Sequence, residues 1–75
     1  MESHEFTIVA TGLDPEADDF EDRFFDAGCG DATLCFERGV ITLDFDREAA
    51  SLEDAIDEAI RDVRAAGANV IGVNA

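Results

Sequence analysis

The sequence has no lysine, one histidine, two cysteines and one proline, and each scarcity closes a class of function. His4 is the lone imidazole, so a serine or cysteine nucleophile lacks a base that a third group could orient, and no triad can be assembled. Cys29 and Cys35 are too few and too badly spaced for a zinc cage. In a reducing compartment they are expected to be free thiols that serve as small packing residues. There is no Gly-x-Gly-x-x-Gly or P-loop, and Gly28-Cys29-Gly30 follows a predicted helix instead of opening one, so no phosphate cradle is present. Asp44 and Asp46 have no calcium-loop spacing around them. No catalytic residue, metal or cofactor is expected.

Basic side chains are scarce too. Five arginines face 19 Asp and Glu, for a formal charge of −14 over 75 residues. Such a chain repels nucleic acid and anionic membranes, so its partner is expected to be cationic, a basic protein or complex. Acidity of this degree also suits simple solubility or life in a salt-rich cytoplasm, and the missing lysine agrees with that or with a GC-rich genome. No apolar run is long enough to span a bilayer. The opening MESHEF has acids where a secretory signal needs basic residues, so a cytoplasmic location is expected.

Enough apolar residues remain for a fold. Leu, Ile, Val and Phe together number 20 of 75, which favours a core over disorder, in a single domain spanning residues 1–75. Residues 5–11, EFTIVAT, alternate with Phe6, Ile8 and Ala10 on one face, the period of a half-buried strand. Asp14-Pro15 reads as an N-cap followed by proline at the first helical position, which predicts a helix over 15–27 with Ala17, Phe20, Phe24 and Ala27 inward and Gly28 as its stop. Residues 32–37 and 40–45 alternate on either side of Arg38-Gly39, a tight hairpin. Ser51 caps a second helix with Leu52, Ala55, Ile56, Ala59, Val63 and Ala66 inward and Gly67 after it. Residues 69–74 form a last strand.

The halves repeat: strand, capped helix, glycine stop, short strand, with Leu13 as far from Gly28 as Leu52 is from Gly67. The order β-α-β-β-α-β predicts an α+β, ferredoxin-like split β-α-β fold, a four-stranded antiparallel sheet in the order 4-1-3-2 with two helices on one face. Phe6, Ile8, Leu34, Phe36, Ile41, Leu43, Phe45, Ile71 and Val73 should face the helices. Thr7, Val9, Thr33, Cys35, Val40 and Thr42 then form the open face, small, half apolar and uncharged at its centre. Such a patch predicts a symmetric homodimer through Thr7, Val9, Cys35, Val40 and Thr42, with an ordinary solvated sheet as the alternative. The open face lacks the stacking aromatics of RNA-recognition modules. The first loop, Gly12-Leu13-Asp14-Pro15, lacks the cysteine pair of metal chaperones of this topology.

The first helix is expected to carry Asp18, Asp19, Asp22 and Asp26 opposite its core stripe, with Asp18, Asp22 and Asp26 as an uninterrupted i, i+4, i+8 row. Each like-charged neighbour pair costs about 0.2–0.5 kcal/mol in an exposed helix, so stability alone would place a base in that row. The carboxylates stand about 5–6 Å apart, a spacing comparable to that of phosphates along a nucleic-acid strand. Glu53, Asp54, Asp57 and Glu58 form a second patch, partly relieved by Arg61. Two acidic helices side by side imitate the charge of a duplex, although a plain solvated helix face carries the same residues.

From Glu5 to Gly67, with FTIVATGLDPEADDFEDRFFDAGCGDATLCF and LDFDREA, the chain resembles the small N-terminal domain ahead of a helix-turn-helix in some bacterial regulators. That resemblance implies a dimerisation or regulatory domain. The DNA-reading part is not in this chain, which leaves a free-standing relative or an excised domain. In size, acidity and want of reactive groups the chain is also similar in type, though not in motif, to phage-encoded anti-CRISPR proteins that occupy a basic groove on an effector complex. The expected function is therefore a non-enzymatic nucleic-acid mimic that blocks the basic surface of a DNA- or RNA-binding protein, with the regulator domain as the alternative.

Overall fold

The computed structural model describes residues 2–14 and 16–74. The element order is β1 (Glu2–Thr11), α1 (Phe20–Asp26), β2 (Ala32–Glu37), β3 (Val40–Ala49), α2 (Leu52–Ala65) and β4 (Asn69–Asn74). All strand pairs are antiparallel, in one sheet ordered β2-β3-β1-β4. This is the expected α+β, ferredoxin-like order. A single buried cluster joins Phe6, Ile8, Ile41, Leu43 and Phe45 of the sheet to Phe20 and Phe24 of α1 and to Ala55, Ala59 and Val63 of α2, so both helices cover the same sheet face. Among the described residues no helix is long and apolar enough to cross a membrane.

Local chemistry accounts for the joints. Arg38 and Gly39 have φ of 54° and 80°, the paired positive values of a two-residue hairpin turn that matches strand twist. Pairing resumes at once with Glu37 opposite Val40. At the start of α2, the Ser51 hydroxyl accepts a hydrogen bond from the Asp54 N–H at 3.1 Å, satisfying one of the donors a helix N-terminus leaves open. Gly28, with φ of 104°, ends the α1 turn, and a Cβ there would lie 3.0 Å from the Asp62 carboxylate.

Four expectations need correction. First, α1 begins at Phe20 and not at 15. Asp14 accepts hydrogen bonds from Glu16 N–H through its side chain at 2.9 Å and from Ala17 N–H through its carbonyl at 3.1 Å, which makes a turn only. Acids at positions 16, 18 and 19 repel one another and Asp is a poor helix former, so the turn does not propagate. Ala17, expected inward, is exposed, and Pro15, read as the first helical residue, lies outside the described residues.

Second, β1 and β3 run farther than their apolar alternation, pairing from Glu2 opposite Ala49 through Ala10 opposite Ile41. His4, which lies before the predicted first strand, is thus within β1, opposite Arg47. Third, β4 is irregular: its register against β1 shifts between Val9 and Ala10. One extra residue is accommodated there, so Val70 packs against the core while Ile71 is 60% exposed and Val73 lies at the edge of exposure. Fourth, α1 is too short to cover the sheet edge, and Phe36 and Leu52, both expected inward, are exposed.

Candidate functional site

The acidic surface is assembled from both helices. In α1, Phe20 and Phe24 are buried and Glu21, Asp22, Phe25 and Asp26 face water. In α2, Ala55, Ala59 and Val63 are buried and Glu53, Asp54, Asp57 and Glu58 are exposed. All eight residues expected to meet a partner, Asp18, Asp19, Asp22 and Asp26 with Glu53, Asp54, Asp57 and Glu58, are solvent-accessible. The row is shorter than expected as a helical feature, because Asp18 and Asp19 precede the first helical residue. Asp22 and Asp26 keep helical spacing, and Asp18 belongs to the lead-in turn.

Asp19 differs from its neighbours. Its carboxylate accepts from the Arg23 Nε at 2.9 Å, and that hydrogen bond, together with the guanidinium charge, holds the carboxyl below its ordinary pKa. The same engagement explains why Asp19, although it is the residue before α1, makes no side-chain cap. Asp18, Asp22, Asp26, Glu53, Asp54, Asp57 and Glu58 have no ion pair among the described residues. Their charge is turned toward solvent and is available to a partner.

Sequence reasoning missed the buried charge. Arg47 continues the inward parity of Ile41, Leu43 and Phe45, and only 9% of it is exposed. Its guanidinium lies over the Phe45 ring, 4.9 Å from the centroid. It donates to Asp31 through Nε at 2.8 Å and Nη2 at 3.0 Å, and to the Gly28 carbonyl at 2.9 Å. Its Nη1 pairs with Asp62 at 3.0 Å. The hydrogen bonds that it donates to Asp31 are the main reason that the guanidinium pKa lies above its ordinary value. Arg47 thus ties β3 to the turn after α1 and to α2, and fixes where the two acidic helices stand. Extending the alternation of β3 by one step past Phe45 would have found it.

The open sheet face holds the residues expected at a dimer contact. Thr7, Val9, Val40 and Thr42 are half-buried and Cys35 is exposed, with Cys35, Thr42, Val9 and Gly72 in one cross-strand row. The centre of the face is not uncharged, contrary to expectation. Asp44 stands between Thr33 and Thr7 in the next row and accepts from the Thr7 hydroxyl at 2.7 Å. Glu5, Asp46 and Glu48, all exposed, follow along the same face. One end is small and apolar, and the other is acidic.

Reactive groups are sparse. Cys29 and Cys35 are both free. Burial, helped by the Asp62 carboxylate, pushes the Cys29 thiol up to about 11, so it is protonated at neutral pH and a poor nucleophile. The Nε2 of His4 is buried without a hydrogen-bond partner. Among the described residues no three His, Cys, Asp or Glu side chains converge as a metal site. Comparison with protein-family models, with curated proteins and with solved structures gives no match.

Proposed function

We propose that this chain is a non-enzymatic acidic binding domain that occupies the basic nucleic-acid-binding surface of a partner protein. The observation that carries the reading is the set of exposed carboxylates without ion pairs on two helices that cover the same side of one sheet. Neighbouring carboxylates one helical turn apart sit about 5–6 Å from each other, close to the spacing of backbone phosphates. A groove built to attract phosphates attracts them by the same long-range field. The cytoplasm is the compartment proposed, since both cysteines are unpaired there. An anti-CRISPR-like block of a target-DNA channel is one concrete form of this action.

The experiment is direct. A nucleic-acid-binding protein captured on the immobilised domain is offered its labelled DNA or RNA with and without free domain. Displacement supports the reading, and a captured partner that holds its nucleic acid undisturbed removes it.

A second reading, the self-associating regulatory domain of a helix-turn-helix regulator, draws on Val9, Cys35, Val40 and Thr42. They lie on a sheet face that no helix covers. Light scattering that reports a dimer lost on Val9→Lys would favour it.

A further inference from the structure

The edge strand β2 and the short helix α1 leave a trough between them that the core does not fill. β2 pairs with β3 alone, so one row of its N–H and C=O groups has no neighbouring strand. Leu34 and Phe36 point to the helix side, opposite Leu43 and Ile41, yet Phe36 remains 54% exposed. The seven residues of α1 reach this edge through an edge-to-face contact of Phe20 with Phe36, ring centroids 6.3 Å apart. Two clefts of about 330 Å³ each adjoin there, sharing Leu34, Glu21 and Asp22. Phe25, 71% exposed, closes the far end against Gly30.

An apolar floor with a one-signed rim selects its occupant. Asp18, Glu21 and Asp22 line the trough, and none has an ion pair among the described residues. A second copy seated here would set Asp18, Glu21 and Asp22 of one trough against the same acids of the other, which like-charge repulsion disfavours. A neutral apolar segment would dehydrate carboxylates without compensating them. We infer that this trough binds an extended, basic segment of a partner protein, which adds a strand to the free edge of β2. Its apolar side chains would rest on Leu34, Phe36 and Phe25, and its arginines would meet Glu21 and Asp22. The inference goes beyond the nucleic-acid reading, because it holds for any protein that carries such a segment, whether or not that protein binds DNA or RNA.

The test uses the whole chain, isotope-labelled, and a short blocked peptide whose alternate positions read Arg, Leu, Val, Arg with Thr between them. Amide shifts are expected in Ala32–Glu37 and Phe20–Asp26. Affinity is expected to fall about tenfold or more when Glu replaces both Arg, when Ser replaces Leu and Val, or when Pro replaces both the central Thr and the Val after it, which removes an N–H facing β2 whichever way the added strand runs. Phe36→Ala is expected to weaken the peptide similarly while lowering the melting temperature by only several degrees, the loss of its contact with Phe20. The peptide controls on the wild-type chain keep the inference testable even if that variant misfolds. It is overturned by no binding at about 1 mM peptide, by a Ser or Pro control that binds as well as the parent, or by shifts centred on α2 or the open sheet face. Peptide-free shifts at β2 that grow with protein concentration would identify a second copy as the occupant and also overturn it.

Discussion

Replacing Arg47 with alanine should be among the most costly single changes in the chain. The side chain is 10% exposed and makes its contacts to Asp31, Asp62 and the Gly28 carbonyl between 2.8 and 3.0 Å. Breaking a buried ion pair costs about 3–5 kcal/mol, because the remaining charge is stranded. Here the stranded carboxylates are 34% and 28% exposed, so water recovers part of the loss and about 2–3 kcal/mol is expected. A domain of this length holds about 4–11 kcal/mol in total, so the change removes a large share of it. Since the chain has neither Trp nor Tyr, urea unfolding is best followed by far-ultraviolet circular dichroism. With a urea slope near 1 kcal/mol per molar, the midpoint should drop by about 2–3 M. Arg47→Met keeps the cover over Phe45 but should lose nearly as much. Combining Arg47→Met with Asp31→Asn and Asp62→Asn should restore most of the stability, because no charge is then left unpaired. A midpoint shift below about 0.5 M for Arg47→Ala would show that the network contributes little.

Other outcomes follow from the same structure. At mildly alkaline pH a thiol reagent should modify Cys35 rapidly and Cys29 only after unfolding, because Cys29 is buried and its thiol is raised to about 11; equal rates would contradict the burial. Gly39→Ala should cost about 1–2 kcal/mol although a Cβ there meets nothing within 4 Å, since φ is 80°; an unchanged melting temperature would mean that the turn rearranges. The Asp19 carboxyl is lowered by Arg23, so the pair's contribution is present above the ordinary carboxyl pKa and lost as pH falls through the lowered value. Side-chain carbonyl shifts in an acid titration should show Asp19 protonating below the ordinary carboxyl pKa and returning toward it in Arg23→Gln. Melting temperature should rise between low and physiological salt as the −14 charge is screened; a flat response would mean that opposite charges already balance locally.

Most of the architecture was legible because its signals are local. Two glycine-stopped helices, the Arg38-Gly39 turn and period-two stretches suffice to give the strand order, and Ser51 caps α2 as its sequence implies. What escaped depends on tertiary context. The β1–β3 ladder continues to Glu2 and Ala49 through residues such as Glu48 that carry no apolar pattern, and this hid Arg47. Asp14 looked like a helix cap, yet the acids after it allow one turn only. The bulge that turns Ile71 outward arises from pairing with β1 and leaves no trace in NVIGVN. For the site, exposure of six of the eight carboxylates was readable from helical spacing, whereas Asp18 and Asp19 are exposed in the turn before α1. The apolar trough beside β2 was not readable, since it depends on how α1 sits against the edge strand in three dimensions.

Mimicry requires that the exposed carboxylates hold a nucleic-acid-binding partner. The decisive measurement is displacement of labelled DNA or RNA from the captured partner by wild type and by Asp18→Asn/Asp22→Asn/Asp26→Asn, at low and physiological salt. Each rim charge contributes about 0.2–1 kcal/mol, so the variant should need on the order of 3–150 times more protein for equal displacement. Its salt dependence should be shallower than that of wild type, while its melting temperature is equal or higher, because the repulsion in the row is relieved. Equal displacement by the variant and wild type, or a partner that binds no nucleic acid, would contradict the mimicry reading and leave the regulatory domain in its place.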